Sequence, residues 1–222
     1  IGDLLRKKKI LFLVDGAQAA GHLPLSMKKL KIDVLCAAGH KGLSALPGVG
    51  VLAFSPRAAI SPLLYGGTGV DTFNPSMPED YPEKLEAGTL NLPAILSLSE
   101  GIRILRDTLP YVSNQLKKLT EYLIGKLSER PFVTLKSASN SSGIVAFSHA
   151  EIPSQELAQI LSDRYDIAVR GGFHCAPLMH RYLNSEKLGL VRVSLSPMNT
   201  RKEINDFVSA LDEITLAGNS AR

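Results

Sequence analysis

Ala37-Ala38-Gly39-His40-Lys41-Gly42 is the stretch around which the sequence is organised. It lies between two apolar runs, residues 32–36 and 49–54, and each run is typical of a short buried strand. The flanking glycines let the backbone turn sharply and approach a bound molecule closely. Desolvation between buried strands favours the neutral amine of a lysine, which can add to a carbonyl group. Lys41 is therefore a candidate for covalent catalysis, and the alternative is a solvated lysine in an ordinary turn.

A carboxylate follows another apolar run upstream. Residues 10–14 predict a buried strand, and Asp15 follows directly in Val14-Asp15-Gly16-Ala17-Gln18. Open α/β sheets bind their ligands at the carboxyl ends of parallel strands, where Asp15 would lie. An aspartate at that position can hold a protonated pyridine nitrogen, which pyridoxal 5'-phosphate (PLP) requires. The alternative role for Asp15 is an ordinary helix N-cap.

These motifs and four more, in order, resemble the aminotransferase class V family of fold-type I PLP enzymes, and within it the cysteine desulfurase and selenocysteine lyase group. The four are Tyr65-Gly66-Gly67-Thr68-Gly69, Glu86-Ala87-Gly88-Thr89-Leu90-Asn91, Val169-Arg170-Gly171-Gly172-Phe173-His174-Cys175-Ala176-Pro177-Leu178 and Val191-Arg192-Val193-Ser194-Leu195-Ser196. The resemblance implies an α/β fold. Residues 1–103 would form the C-terminal part of the large PLP-binding domain, and residues 104–222 a small α+β C-terminal domain.

The resemblance also implies the cofactor contacts. Lys41 would hold PLP covalently and later move protons at the substrate's α-carbon. Asp15 would pair with the pyridine nitrogen, Gln18 would donate to the phenolic oxygen, and His40 would contact the phosphate. Thr89 would reach the phosphate of a neighbouring subunit, so we expect a homodimer.

Two further residues would act on the substrate. Arg192 lies among apolar neighbours and is expected to meet a carboxylate, since an unpaired buried arginine is costly. The resemblance makes Arg192 the clamp for the substrate α-carboxylate, and a structural ion pair is the alternative. Cys175 would accept sulfur as a persulfide, and an adjacent imidazolium of His174 could stabilise its thiolate. For Arg170 we expect a structural role.

The implied activity is that of a cysteine desulfurase, which converts L-cysteine to L-alanine and passes the sulfur to a cysteine, with a sulfur-acceptor protein as a possible partner. A class V aminotransferase, in which Cys175 is incidental, and a selenocysteine lyase are the alternatives. A third alternative is a truncated, inactive remnant that acts as a dimerising module. Two observations favour the remnant. Ala38 stands where many family members have a phosphate-binding serine, and the family's preceding stretch, with a phosphate-binding turn and a ring-stacking residue, is not in this sequence.

Bulk composition narrows the classes of function. The 222 residues are 45% hydrophobic and 21% charged, which is typical of a globular protein with a core, and the net charge is only +4. No basic patch with interleaved aromatic residues indicates nucleic-acid binding. The two cysteines have no metal-ligand or disulfide-framework spacing, and no apolar run has membrane-spanning length. We therefore expect a cytoplasmic protein that binds neither metal nor membrane.

Several local patterns predict secondary structure. A serine cap at Ser26 opens a short helix, and Thr200-Arg201-Lys202-Glu203 is a capping box that opens the last one. Ser55-Pro56-Arg57 predicts another helix start. Pro110 is expected to separate two helices. The remaining predicted helices are residues 93–106, 111–130 and 154–165. The remaining predicted strands are residues 132–135, 143–147, 167–170 and 190–196.

Overall fold

The computed structural model describes residues 1–220, with side chains described up to residue 218. The chain divides into two compact units between Leu109 and Pro110. We call them the N-terminal and the C-terminal unit and describe each by itself. The boundary that we expect from the sequence, between residues 103 and 104, stays a prediction.

The N-terminal unit contains a three-stranded sheet with the strand order β1-β2-β3. Its elements are α1 (Gly2–Lys7), β1 (Leu13–Asp15), α2 (Met27–Leu30), β2 (Val34–Ala38), β3 (Gly50–Phe54) and the first part of α3 (Leu92–Ser128). β1 and β2 are parallel, with Asp15 opposite Cys36, and β3 is antiparallel to β2. All three strands were predicted, but they are largely half-buried or exposed, because a three-stranded sheet offers little cover to both of its faces.

A buried carboxylate ties this sheet together. Asp33, immediately before β2, accepts hydrogen bonds from the backbone N–H of Phe12 (3.0 Å), the hydroxyl of Ser55 (3.2 Å) and the guanidinium of Arg57 (3.0 Å). The Phe12 N–H and the neighbouring cations hold the pKa of Asp33 below its usual value. The helix predicted from Ser55 is wrong. Residues 55–57 form a turn, because the side chains of Ser55 and Arg57 bond to this carboxylate.

The predicted break at Pro110 is also wrong. α3 continues through it as one helix of 37 residues. A proline inside a helix costs about 3 kcal/mol, because a hydrogen bond is lost and the ring meets the preceding turn. Burial of one leucine contributes about 1.5–3 kcal/mol, so the packing of α3 outweighs the cost. Its buried apolar residues are Ala94, Leu98, Leu116, Leu119, Leu123 and Leu127.

The C-terminal unit is a four-stranded antiparallel sheet with the strand order β4-β5-β7-β6, together with helices. Its elements after α3 are β4 (Val133–Leu135), β5 (Ile144–His149), α4 (Ser154–Tyr165), β6 (Arg170–Gly172), α5 (Pro177–Tyr182), β7 (Leu190–Ser194) and α6 (Arg201–Ser220). The predicted capping box is confirmed. Thr200 Oγ1 accepts from the Glu203 N–H (3.2 Å), and Glu203 accepts from the Thr200 N–H (2.6 Å).

The core of the C-terminal unit positions β7. Val191 and Val193 belong to the apolar cluster, which also contains Phe147, Leu157, Leu161, Phe207 and Leu211. Side chains alternate between the two faces of a strand, so Arg192 lies on the face of β7 opposite to these valines. The apolar pattern of the last strand thereby turns its arginine away from the core.

Candidate active site

The predicted cofactor residues Asp15, Gln18, His40 and Lys41 follow the ends of two parallel strands. β1 ends at Asp15 and β2 ends at Ala38, just before His40 and Lys41. Because the strands are parallel, their carboxyl ends lie at the same edge of the sheet. Asp15, Gln18, His40 and Lys41 are all exposed there. The desolvation that we expected for Lys41 is therefore not seen in this unit.

Glycines bring the two loops at this edge into backbone contact. A Cβ on Gly21, where φ is +84°, would overlap the Gly42 carbonyl, and a Cβ on Gly42 would overlap the Ala20 carbonyl. The Gly16 N–H also donates to the Cys36 carbonyl (2.7 Å). We call residues 15–22 and 39–42 the paired loops. Only glycine allows this approach, so the loop that carries Asp15 is held against the loop that carries Lys41.

Helix α3 fixes the chain that follows Lys41. The Leu46 N–H donates to Ser97 Oγ (2.9 Å), and this hydroxyl donates to the Ala94 carbonyl (2.8 Å). A Cβ on Gly101 would overlap the Leu43 carbonyl. Neither Ser97 nor Gly101 was predicted as a site residue from the sequence. The only signal was a glycine in a helical pattern, which indicates close packing without naming its partner.

Thr89 lies in a different loop of the N-terminal unit. It is exposed, and the preceding Gly88 donates its N–H to the Gly67 carbonyl (2.8 Å). The glycine-rich motif around Gly67 therefore holds the Thr89 loop. Within the described residues, Thr89 makes no hydrogen bond with Asp15, Lys41 or their neighbours in the paired loops.

The residues at the sheet edge fit a phosphorylated pyridine. They supply a carboxylate for a protonated ring nitrogen, an amide and an imidazole as hydrogen-bonding groups, and an exposed amine for covalent attachment. Ala38, at the end of β2, has no hydroxyl to offer a phosphate.

In the C-terminal unit, the structure groups Arg170, Cys175 and Arg192. Arg170 on β6 lies directly opposite Arg192 on β7, so the two side chains share a face. Arg170 Nη2 is 3.9 Å from Cys175 Sγ. Arg192 Nε is buried and has no hydrogen-bond partner among the described residues. Like charges opposite each other are unfavourable, and an unsatisfied charged donor is costly, so this arrangement suits a bound anion.

The loop that carries Cys175 has an unusual backbone. His174 and Cys175 are consecutive non-glycine residues at φ 52° and 59°. Left-handed conformations cost L-residues about 1–2 kcal/mol each. The Ala176 N–H donates to the Phe173 carbonyl (2.9 Å), which closes the turn, and the Cys175 side chain is exposed. Strain of this kind is typical of functional loops.

His174 does not act as the cation beside Cys175. Burial lowers the pKa of His174, and the positive charges of Arg192 and Arg170 lower it further, although its bond to Leu190 opposes this. His174 Nε2 lies 3.0 Å from the Leu190 carbonyl and must donate to it, which leaves Nδ1 as the acceptor. The expected imidazolium is therefore wrong. Arg170, for which we expected only a structural role, is the cation in contact with the sulfur. This contact joins residues five positions apart and depends on the backbone conformation of the Cys175 loop, which the sequence does not reveal.

Membrane-spanning helices and metal-ligand clusters are both absent from the described part of the chain. No helix there is long and apolar enough to cross a membrane. No group of three or more histidine, cysteine, aspartate or glutamate side chains there could hold a metal ion.

The chain is similar to known proteins over almost its whole length. The family model "Aminotransferase class-V" matches residues 1–207. A probable cysteine desulfurase of Pyrococcus abyssi is 31% identical over 96% of this chain and 54% of its own length. The cysteine desulfurase CsdA of Escherichia coli is 33% identical over 91% of this chain and 51% of its own. The chain thus spans about half the length of these relatives.

Solved structures agree with the sequence relatives. The apo structure of a cysteine desulfurase from Thermococcus onnurineus NA1 matches with a TM-score of 0.87 and 30% identity, over 96% of this chain and 54% of that one. The S-sulfonic acid form of the cysteine desulfurase CsdA from Escherichia coli matches with a TM-score of 0.85 and 29% identity, over 95% of this chain and 53% of that one. The fold is therefore that of the fold-type I PLP enzymes, as the motifs predicted.

Proposed function

Because the chain belongs to the aminotransferase class V family, we propose that it is the C-terminal part of a PLP-dependent cysteine desulfurase. The reaction converts L-cysteine to L-alanine and leaves the sulfur on Cys175 as a persulfide. One observation carries the proposal. The exposed thiol of Cys175 lies 3.9 Å from the Arg170 guanidinium, and the opposite residue, Arg192, has a buried donor without a partner in the described chain.

The paired loops would hold the cofactor. Bound PLP supplies an electron sink for the bonds of the substrate's α-carbon. Asp15 pairs with the pyridine nitrogen and keeps it protonated, and Gln18 and His40 donate to the phenolic oxygen and the phosphate. The Lys41 amine holds the cofactor and then moves a proton at the substrate's α-carbon. The exposure of all four side chains at one sheet edge supports these roles.

The arginines and the cysteine would act on the substrate. Arg192 binds the α-carboxylate, because a guanidinium forms its strongest hydrogen bonds with carboxylates. The Cys175 thiolate attacks the substrate sulfur, and a new S–S bond forms while the substrate's C–S bond breaks. The electron pair of that bond goes to the carbon skeleton, which is protonated to give alanine. Arg170 stabilises the attacking thiolate electrostatically.

We also propose that the enzyme is a cytoplasmic homodimer that can deliver its sulfur to an acceptor protein. Thr89 would reach the cofactor phosphate of the partner. Large apolar side chains are exposed in the segment that precedes it, notably Leu63, Leu64, Tyr65 and Phe73, at 91%, 74%, 71% and 97%. Exposed apolar patches of this kind indicate association. Sedimentation should show a dimer, and a monomer that binds PLP at full strength would contradict this.

The assay should separate cofactor binding from sulfur chemistry. With PLP added, borohydride reduction and peptide mapping should place the pyridoxyl group on Lys41, and L-cysteine should yield L-alanine. A keto acid product instead would favour the aminotransferase, and alanine from selenocysteine alone would favour the lyase. A protein that stays colourless and unlabelled with PLP would favour the inactive remnant.

A further inference from the structure

A buried histidine lies next to the Cys175 loop. His180 on α5 is 2% exposed, and its Nδ1 lies 2.8 Å from Ser185 Oγ. Ser185 is itself buried, and its N–H donates to the His180 carbonyl (2.9 Å). These bonds connect the last turn of α5 with the turn that follows it. The His180 ring is therefore fixed by a hydrogen bond that leaves it few other orientations.

The same ring contacts both residues that precede Cys175. The ring of Phe173 meets it edge-to-face, with centroids 5.2 Å apart and an interplanar angle of 89°. The ring of His174 lies at 5.8 Å. Edge-to-face contact is a favourable arrangement of aromatic rings. His180 is thus the buried support for the two residues that precede the Cys175 thiol.

The loop needs such support because of its backbone. His174 and Cys175 both adopt left-handed conformations, which non-glycine residues keep only where surrounding contacts hold them. One holding contact is the bond from His174 Nε2 to the Leu190 carbonyl (3.0 Å). The other is the packing of Phe173 and His174 on His180.

We propose that His180 and Ser185 are positioning residues, which hold the Cys175 sulfur beside Arg170 in the strained conformation of the loop. The inference rests on the proposed function in so far as Cys175 is the sulfur carrier. Without the Ser185 bond the His180 ring is free to turn, Phe173 and His174 lose their support, and Cys175 relaxes away from the guanidinium 3.9 Å from its sulfur.

A pair of alkylating reagents measures this position directly. Iodoacetate is an anion and iodoacetamide is neutral, so the ratio of their rate constants at Cys175 reports the positive charge beside the sulfur. Two unit charges about 4 Å apart in water attract enough to change a rate about fivefold. The full 222-residue chain is used, and peptide-resolved mass spectrometry separates Cys175 from Cys36. Arg170→Gln is the reference and should lower the ratio about fivefold.

Ser185→Ala and His180→Ala should lower the ratio of the two rate constants several-fold, towards the Arg170→Gln value. Ser185→Thr keeps the hydroxyl and should therefore keep the ratio of the unsubstituted chain. Thr215→Val is the matched control, since it removes another bond between a histidine and a hydroxyl in the same unit, His149 to Thr215 at 3.1 Å. It should lower the melting temperature and leave the ratio unchanged.

Three results would overturn the inference. The first is a wild-type ratio of the two rate constants in both Ser185→Ala and His180→Ala. The second is an unchanged ratio in Arg170→Gln, and the third is a ratio that falls as far in Thr215→Val as in the two alanine variants. Alkylation needs neither cofactor nor substrate. A failure of the desulfurase proposal would therefore leave these ratios as they are, and the two failures can be told apart.

Discussion

Gly21→Ala tests the contact between the paired loops, which holds the loop that carries Asp15 against the loop that carries Lys41. Gly21 has φ +84°, and its Cβ would overlap the Gly42 carbonyl. A non-glycine residue in this conformation costs about 1–2 kcal/mol. An overlap that forces the backbone apart costs about 1–3 kcal/mol more. The total is about 2–5 kcal/mol for the stability of these loops.

Gly88→Ala provides a matched control. Gly88 has the same φ of +84°, but no heavy atom lies within 4 Å of its Cβ position. It therefore carries the backbone cost without the overlap. Amide hydrogen exchange of peptides that cover residues 13–54 is the assay, since exchange reports local opening. Relative to the unsubstituted chain, Gly21→Ala should speed exchange in these peptides more than Gly88→Ala speeds exchange in the peptides around Gly88, by about 1–3 kcal/mol of opening free energy, or roughly 5- to 150-fold. Equal acceleration by the two substitutions would refute the close contact of the loops.

Three further predictions concern stability. Phe147→Ala should lower the free energy of unfolding of the C-terminal unit by about 3–5 kcal/mol in urea, because the phenyl ring is fully buried; a loss below 1 kcal/mol would show a loosely packed core. Asp33→Asn should lower the urea midpoint of the N-terminal unit, because Arg57 loses its anion; an unchanged midpoint would contradict the role of that carboxylate. Burial lowers the pKa of His149 and His174, so the unfolded chain binds more protons than the folded chain below about pH 6.5. The free energy of unfolding should therefore fall as the pH decreases from there. Replacing both histidines by Asn should flatten this pH dependence, and an unaltered pH dependence would exclude the two histidines as its cause.

Local sequence signals predicted the elements whose causes are local. The Ser26 hydroxyl accepts the Lys29 N–H (3.3 Å) and caps α2, and the Thr200 box caps α6 as expected. The strands β1, β2 and β3 also follow from their apolar runs. These features depend on residues a few positions apart, so the sequence contains their whole explanation.

The errors share a different cause. Pro110 does not end α3, because leucines on both sides of it are buried. The strand predicted at 167–170 lies at Arg170–Gly172, because β6 pairs with β7 in that register. Such contacts join residues distant in sequence, and a single sequence does not show them.

In the candidate site, too, some features follow from local sequence and others only from the folded structure. Motif order identified Lys41, Asp15 and Cys175 as residues of interest, but the contact between Arg170 and the thiol depends on the left-handed backbone at His174 and Cys175. The support of the Lys41 loop by Ser97 likewise needed the fold. Motifs therefore selected the reactive groups, whereas the groups that position them became visible only in three dimensions.

Cys175 is the residue that we propose receives the substrate's sulfur. The direct measurement is peptide-resolved mass spectrometry of the PLP-loaded protein after a short incubation with L-cysteine and trapping of persulfides. We expect one additional sulfur atom on the peptide that contains Cys175, together with alanine. Neither product should form in Cys175→Ser, whose Lys41 should still take the pyridoxyl label. Alanine formed at the normal rate by Cys175→Ser, or the additional sulfur on Cys36 instead, would contradict this proposal.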